Sequence, residues 1–347
     1  MKVMVKLKII DPLNFAGWND LIIAARGHSF FHTANWARVL CEAYGYTPFY
    51  YATIGEGRLH VLLPLMQVNS RITGKRAISL PFSDYCFPII DERIDNGDIL
   101  KQIIDEGKQS NWKYIEIRGE GLLPGIRPSS VYYRHTLSLE SGKEQVYSCL
   151  RSNYRGKIRK AERKGIKVSL DRSPEALEEY YRLHCATRKR HGLPPQPIRF
   201  FRKINQYIIS QNLGFLVLAS FNSKTIAGAI YFHFGNQVIY KFGASDLHHQ
   251  DLFANYLVMW KAIQWAIQNR YCEFSFGRTD WNQNGLIQFK DGWGAIKRRL
   301  NYYRYSLKTE RFLQSQQTSN GRGFFIFQKM PMPVLKMAGN LLYRHVG

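Results

Sequence analysis

The chain has 347 residues, of which 45% are hydrophobic and 14% aromatic, so it can build real cores and is not an intrinsically disordered protein. This length predicts about two domains. Lys and Arg number 49 against 26 Asp and Glu, a formal net charge of +23, which indicates an anionic partner (nucleic acid, acidic lipid or a phosphorylated substrate) without choosing among them.

The first residues and the cysteines predict a cytoplasmic protein. Residues 1–10 alternate apolar side chains with lysines, which predicts an edge strand rather than a secretory signal. No uninterrupted apolar stretch reaches the ~18 residues that span a bilayer. The five cysteines are scattered and form no C-x-x-C pair, so we expect free thiols and no zinc site. Peripheral contact with the inner face of the plasma membrane stays open.

The first half of the chain mixes helix and strand patterns. Apolar residues at helical spacing predict helices over 32–44 and 97–110. Predicted strands cover 48–54, 59–68, 76–82 and 113–118, and the third ends in the loop Ser83-Asp84-Tyr85. The pattern is that of an α/β protein.

A second unit is predicted to begin near residue 140. One long basic helix is predicted over 143–165, and another starts at Pro174, because proline suits the first turn of a helix. The other predicted elements are a strand at 166–170, a loop at 192–197, a helix at 199–211, strands at 214–221, 225–234 and 237–243, a helix at 250–269, and strands at 272–276 and 299–307.

The C-terminal part is predicted to contain a linker and a packing segment. Residues 309–320 are polar and indicate a linker. The tail over 324–346 is apolar but carries Lys329, Lys336 and Arg344. It either packs on the first domain, which we favour, or lies on a membrane surface.

Arginines recur every four residues in the predicted basic helix, at Arg151, Arg155, Arg159 and Arg163. Each step of four advances about 40° around a helix, so the four form one stripe. Arginine forks suit phosphate, which predicts a cradle for a nucleotide-linked or lipid-linked sugar or for a tRNA acceptor stem. The alternative is a solvated basic face without a ligand.

The stretch over 273–295 has the pattern of a binding cleft. Aromatic side chains alternate up to Phe276, which predicts a strand that breaks at Gly277 into a polar loop holding Arg278. The pattern resumes at Phe289-Lys290, which places a lysine near bulky aromatics. The alternative is a surface loop with a hairpin.

Four stretches, in order, resemble the FemABX family, which comprises aminoacyl transferases that build peptidoglycan cross-bridges and acetyltransferase-like relatives. They are SRITGKRAISLPFSDY (70–85), LRSNYRGKIRKAERKGIKV (150–168), GAIYFHFGNQVIYKFGASD (228–246) and FGRT…GLIQFKDGWGA (276–295). The resemblance implies an α/β fold of two tandem GNAT-like domains, each a mixed, mainly antiparallel sheet flanked by helices, with a cleft between them. We expect the first domain over 1–139, the second over 140–308, and a linker and C-terminal segment over 309–347.

The resemblance also implies site residues. Phe289-Lys290 matches the family's Phe-Lys motif, whose lysine points into the acyl-transfer site, where a fixed cation stabilises the developing oxyanion. Asp84 is the candidate acceptor of a proton from the attacking amine, although Asp in such a loop is often only a turn former. The other candidate substrate-binding residues are Tyr85, Arg151, Arg155, Arg159, Tyr240, Ser245, Arg278, Phe289 and Trp293. For the tyrosines and the tryptophan, the alternative is a place in the core.

The expected activity is formation of an amide on a peptidoglycan, polysaccharide or lipid-linked precursor of a bacterial cell envelope, by an acyl- or aminoacyltransferase. The donor would be a co-substrate (aminoacyl-tRNA, acyl-CoA or acyl-carrier protein), with no tightly bound cofactor and no metal. No acetyl-CoA pyrophosphate loop is recognisable, which weakens an acetyl-CoA donor. The alternatives are an N-acyltransferase of the same fold in exopolysaccharide or lipid modification, and a non-catalytic basic module for nucleic acid or acidic membrane. No DNA-reading motif is visible.

Overall fold

The computed structural model describes residues 5–314 and 325–346. The strands, in chain order, are β1 (Lys8–Ile10), β2 (Thr47–Gly55), β3 (Arg58–Ser70), β4 (Gly74–Ile78), β5 (Ile89–Ile90), β6 (Tyr114–Arg118), β7 (Ser130–Ser138), β8 (Lys167–Asp171), β9 (Gly214–Phe221), β10 (Lys224–Phe234), β11 (Gln237–Ser245), β12 (Glu273–Asp280), β13 (Ile296–Ser306) and β14 (Arg311–Phe312). The helices are α1 (Trp18–Ala24), α2 (Ala34–Tyr44), α3 (Asn96–Gln109), α4 (Gly142–Cys149), α5 (Ser152–Arg163), α6 (Pro174–Arg190), α7 (Ile198–Ile204), α8 (Ala254–Gln268), α9 (Asn284–Asp291), α10 (Phe325–Lys329) and α11 (Met332–Leu342).

Contacts divide the chain into two compact units. Within the described residues, the first unit comprises 5–132, 299–314 and 342–346, and the second comprises 133–298 and 325–341. The predicted domain limits at 139/140 and 308/309 stay a prediction.

The first unit is built on a mainly antiparallel sheet. Its strand order is β1-β2-β3-β4-β6-β13, with β5 beside β3 and β14 beside β13. Strand β4 runs parallel to β6, whereas the β1–β2, β2–β3, β3–β4 and β6–β13 pairs are antiparallel. The core of this unit includes Ile99 and Ile103 of α3, which belong to one apolar cluster with Leu63, Leu65 and Ile115 of the sheet.

The second unit has a sheet of the same kind, in the order β7-β12-β11-β10-β9-β8. Strands β9 and β10 form the predicted hairpin, and Asn222 and Ser223 at its turn both have positive φ, as a tight hairpin turn of this hand requires. Strand β11 runs parallel to β12, but their register covers three pairs only, from Gln237↔Glu273 to Ile239↔Ser275. The two strands therefore separate beyond Ile239.

Helices cover this second sheet on both faces. Successive side chains of a strand point to opposite faces, so Val217 and Leu218 of β9 contact the helices on opposite sides of the sheet. Val217 belongs to the apolar cluster that holds Ile158 of α5 and Trp260 of α8. Leu218 lies on the side of Tyr180 in α6, since a side chain on Gly228 would meet both residues. Both units are thus mixed, mainly antiparallel sheets with helices, as predicted.

The single basic helix predicted over 143–165 is wrong. The chain forms α4 and α5 with a break at Leu150 and Arg151, which both have extended ψ angles near 140°. The Arg151 amide donates a hydrogen bond to the Gly292 carbonyl at 3.0 Å, and Leu150 is buried. No proline or glycine lies at this break. The hydrogen bond from Arg151 to Gly292 and the burial of Leu150 maintain it instead.

Two other predicted boundaries also move. The strand predicted over 76–82 ends at Ile78, since Leu80 and Phe82 adopt positive φ in the following loop. The helix predicted over 250–269 begins at Ala254, because Phe253 has a φ of 58° and ends a preceding 3₁₀ turn. Both shifts occur at non-glycine residues with left-handed backbone, which sequence patterns seldom reveal.

The C-terminal tail is divided between the two units. Helix α11 lies with the second unit, where Lys336 stacks over the Tyr181 ring. The residues after it pack on the first unit, where Arg76 Nη2 donates to the His345 carbonyl at 2.6 Å. The predicted linker over 309–320 contains β14, and its part from 315 onward lies outside the described residues. Within the described part of the chain, no helix is long and apolar enough to cross a bilayer.

Candidate functional site

Lys290 lies on helix α9, not on an extended segment as the pattern of residues 273–295 had predicted. Its side chain is buried, with 2% exposure, and its Nζ donates to the carbonyls of Gly277 (3.3 Å) and Arg278 (3.1 Å). The predicted break at Gly277 is a positive-φ residue inside β12, which continues to Asp280. The lysine ammonium is therefore fixed between α9 and the second half of β12.

Helix α9 is held at its C-terminal end by the start of α5. The Tyr154 hydroxyl donates to the carbonyls of Gln288 (3.2 Å) and Phe289 (3.1 Å), and the Gln288 carbonyl also accepts from the Gly292 amide at the helix end. The Arg151 amide binds the next free carbonyl, that of Gly292. A Cβ on Gly292 would collide with the Tyr154 ring, so glycine permits this close approach. The predicted basic segment thus positions the helix that carries Lys290.

Aromatic rings surround this contact. Tyr154 lies 4.9 Å from Tyr256 and 5.5 Å from Trp293 between ring centroids, and Phe289 is 5.5 Å from Tyr256. Trp293 is fully buried, so it packs in the core of the unit instead of lining an open surface. Because burial comes first among the causes that raise the pKa of Tyr154, its hydroxyl stays protonated and remains a donor at neutral pH.

A buried histidine beside Lys290 was missed at the level of sequence. His135 of β7 is completely buried, with Nε2 3.2 Å from Asp291 Oδ1, but neither ring nitrogen has a hydrogen bond of good geometry among the described residues. Burial, and secondly the charge of Lys290, lower the pKa of His135 to about 4, so the ring is neutral at pH 7. Asp291 follows Lys290 directly and could have been noticed, whereas nothing near His135 in the sequence signals its proximity.

The arginine stripe is only partly available for a ligand. Arg155 Nη1 donates to the carbonyls of Ser148 (2.6 Å) and Leu150 (2.9 Å), which caps the end of α4. Arg151 precedes α5 and Arg159 lies on it, and both are exposed. Arg151 and Arg159 therefore stay candidates for phosphate, while Arg155 has a structural role that the stripe did not predict.

A cavity of about 250 Å³ opens in the second unit, among β10, β11, α8 and α9. Tyr240 and Ser245 of β11 line it together with Phe289 of α9, and Arg190 and His191 lie at the end of α6. Arg190 Nη1 donates to the Ser245 carbonyl at 3.3 Å. The cavity thus brings together three of the residues predicted from sequence.

Tyr240 is the best-placed hydroxyl of this cavity. Its hydroxyl lies directly over Gly243, where a Cβ would collide with it. Burial raises the pKa of Tyr240 to about 12, so the hydroxyl is a donor at neutral pH. Among the described residues it makes no hydrogen bond, which leaves it free to bind a ligand carbonyl or phosphate oxygen.

Asp84 and Tyr85 belong to the first unit, in the loop after β4. The Tyr302 hydroxyl donates to the Asp84 carbonyl at 2.6 Å, and Arg118 Nη1 donates to the carbonyls of Leu80 and Ser83. The Asp84 side chain is half-buried, whereas Tyr85 is buried and packs edge-on against Phe31. The loop backbone is thus fixed, and of the two only Asp84 is accessible.

The last of the predicted site residues is Arg278 of β12. Arg278 is half-buried on β12, and its carbonyl is one of the two that bind Lys290. Among the residues that the structure describes, no group of three or more His, Cys, Asp or Glu side chains could hold a metal ion.

Comparison with known protein families gives a match within the second unit. A family profile described as an acetyltransferase (GNAT) domain matches residues 148–291. A UDP-N-acetylmuramoylpentapeptide-lysine N(6)-alanyltransferase of Weissella viridescens is 24% identical over 141 residues, which are 40% of this chain and 41% of that enzyme. The match therefore spans less than half of this curated relative.

Solved structures extend the likeness in fold to most of the chain. FemX superposes with a TM-score of 0.65 at 13% identity, covering 86% of this chain and 97% of FemX. A tandem GNAT protein from the clavulanic acid biosynthesis pathway has a TM-score of 0.56 at 8% identity, covering 87% and 98%. The predicted α/β fold of tandem GNAT-like units is confirmed, and within it residues 148–291 match an acetyltransferase (GNAT) domain and share distant sequence similarity with the peptidoglycan lysine alanyltransferase.

Proposed function

We propose that this protein transfers an aminoacyl group to an amine of a peptidoglycan precursor, forming an amide. The observation that carries the proposal is the buried Lys290 ammonium, held by two carbonyls of β12 inside the segment that matches an acetyltransferase domain. A fixed cation in a site that excludes water stabilises the negative charge of an acyl-transfer transition state far better than solvent does. Similarity to a UDP-N-acetylmuramoylpentapeptide-lysine alanyltransferase supports the acceptor class.

The reaction would follow the usual course of amide formation. The acceptor amine attacks the ester carbonyl of the donor, the C–N bond forms, and the C–O bond to the carrier breaks. Lys290 would neutralise the charge on the carbonyl oxygen, and the Tyr240 hydroxyl would donate to an oxygen of the ligand in the cavity. Asp84 stays the predicted acceptor of the proton that the amine loses. Arg151 and Arg159 would bind phosphates of the acceptor or of a tRNA.

An acyl-CoA or acyl-carrier donor is the second candidate. A cavity of about 200 Å³ opens at the N-terminus of α8, where Phe253 provides no side-chain cap. Lys157 lines this cavity, and a helix N-terminus with a nearby cation suits a pyrophosphate or a phosphopantetheine phosphate. This feature favours a thioester donor even though no pyrophosphate loop is recognisable in the sequence.

The test compares donors in a transfer assay with a peptidoglycan nucleotide precursor as acceptor. Alanyl-tRNA, acetyl-CoA and an acylated carrier protein are supplied in turn, and mass spectrometry detects the amide. For the productive donor, Lys290→Met should lower kcat by about 100-fold or more, since a single oxyanion partner is worth that much. The matched control is Lys261→Met on the exposed side of α8, which removes the same charge away from the site. Equal kcat in the wild type and Lys290→Met would refute the role of Lys290, and no amide from any donor would refute transfer.

A further inference from the structure

The C-terminal helices carry an exposed apolar stripe. Val334, Met337 and Leu341 of α11 are 43%, 58% and 62% exposed, and Ile326 of α10 is 67% exposed. The α11 residues are three and four positions apart, so they lie along one face of the helix. Four large apolar side chains in so short a segment are more than the scattered exposure that a soluble surface normally shows.

The opposite face of α11 is already used for packing. Leu335 is fully buried, and a Cβ on Gly339 would collide with the Pro195 carbonyl, so the helix backbone lies directly on that loop. Gln328 Nε2 donates to the Arg190 carbonyl at 3.0 Å and attaches α10 to the end of α6. The stripe is therefore a second apolar face on an anchored helix, rather than a core face left open.

The surroundings of the stripe are cationic. After Glu310 the sequence contains no acidic residue, whereas Lys329, Lys336 and Arg344 lie within the described tail. A neighbouring groove of about 490 Å³ is lined by Gln328 and Met332 of the tail and by Arg182, Lys189 and Arg190 of α6.

One carboxylate also lines this groove. Asp246 lines it, but its charge is already paired with Lys224 at 2.9 Å, and His249 Nδ1 lies 3.1 Å from the same carboxylate. Arg182 is paired with Glu179 at 3.3 Å, so Lys189 and Arg190 carry the positive charge of the groove.

We propose that the α10–α11 segment docks on an anionic phospholipid surface, with the stripe inserted among the acyl chains and the cations among the headgroups. An apolar face flanked by lysine and arginine is the pattern of a helix that lies in the bilayer interface. The cations attract the negative surface, and the net charge of +23 adds to that attraction. A second copy of the chain fits less well, because it would bring two acid-free, cationic segments together. This docking does not depend on the transfer reaction.

Vesicle sedimentation of the full-length protein tests the proposal. The vesicles are phosphatidylcholine alone, or phosphatidylcholine mixed with phosphatidylglycerol, and the wild type should bind the mixed vesicles much more tightly. Leu341→Glu and Met337→Glu should each weaken that binding about tenfold or more, since each removes a large apolar group from the contact. Asn340→Glu is the matched control, because it adds the same charge at a neighbouring exposed position outside the stripe, and it should weaken binding only about threefold.

Three outcomes would overturn the proposal. The wild type fails to bind the mixed vesicles, or Asn340→Glu and Leu341→Glu weaken binding equally, which would mean non-specific attraction of a basic protein. Alternatively, the wild type is a dimer by light scattering and Leu341→Glu makes it a monomer without changing vesicle binding. Circular dichroism melting of each variant establishes that it is folded, as expected for substitutions of exposed residues.

Discussion

Substituting Gly292 tests how tightly α5 holds the helix of Lys290. Gly292 has ordinary helical backbone angles, so Gly292→Ala introduces no backbone strain. The added methyl would instead collide with the Tyr154 ring. That ring cannot move aside easily, because Tyr256 and Trp293 pack against it at 4.9 and 5.5 Å. Overpacking of this kind costs about 1–3 kcal/mol of unfolding free energy.

Gly285 of the same helix is the control, because a side chain there would meet no other atom. No atom lies within 4 Å of a Cβ on Gly285, near the start of α9, so Gly285→Ala should stabilise by about 0.5 kcal/mol through helix propensity. Urea denaturation of both variants measures the difference. A cycle with Tyr154→Leu adds a second criterion, since a smaller side chain at 154 should remove most of the penalty of Gly292→Ala.

The transfer assay should report the same contact. Displacing the Tyr154 ring moves its hydroxyl away from the carbonyls of Gln288 and Phe289, so Gly292→Ala should also lower kcat while Gly285→Ala does not. If Gly292→Ala were as stable as the wild type, or if Tyr154→Leu failed to relieve it, then Tyr154 would not restrain α9 and the role assigned to this contact would be refuted.

Two further predictions concern buried titratable side chains. Burial lowers the pKa of His184 to about 3 and that of His32 to about 4, whereas the unfolded value is 6.5, so the unfolded chain binds more protons between these values. The free energy of unfolding should therefore fall as pH drops below about 6.5, by up to about 1.4 kcal/mol per pH unit for each histidine. His184→Gln should reduce the slope of the unfolding free energy against pH, measured by urea denaturation, and an unchanged slope would contradict this. Glu116→Gln should cost about 3–5 kcal/mol in urea denaturation, because the carboxylate pairs at 2.9 Å with the buried Arg118 and at 2.6 Å with Arg304, and a loss below 1 kcal/mol would refute a buried pair.

Elements with strong local signals could be predicted from the sequence. The helix at 32–44 was confirmed as α2, because Thr33 caps it by accepting from the Trp36 amide and Gly45 ends it in a left-handed conformation. The two strands predicted over 214–221 and 225–234 were also confirmed, as β9 and β10 joined by a turn at Asn222-Ser223. In each case the signal lies in the few residues that form the boundary, so no distant contact decides the structure.

Elements decided by tertiary contacts could not be predicted. The pattern over 273–295 predicted an extended segment at Phe289-Lys290, yet residues 284–291 form α9. Ile287 and Lys290 of this helix both turn inward, and its end finds donors on Arg151 and Tyr154. Those donors come from the break between α4 and α5, which sequence patterns also missed. One missed contact therefore explains both errors.

That contact also changes how the basic segment should be understood. A stripe of arginines at four-residue spacing predicts a continuous charged face, but a continuous helix could not place the Arg151 amide on the Gly292 carbonyl. The break places Arg151 just before α5, lets the Arg155 side chain cap α4, and lets the Arg151 amide bind Gly292, two residues beyond Lys290. Charge reversal at Arg159 should accordingly affect binding of an anionic ligand alone, whereas any change that straightens the break should also displace Lys290.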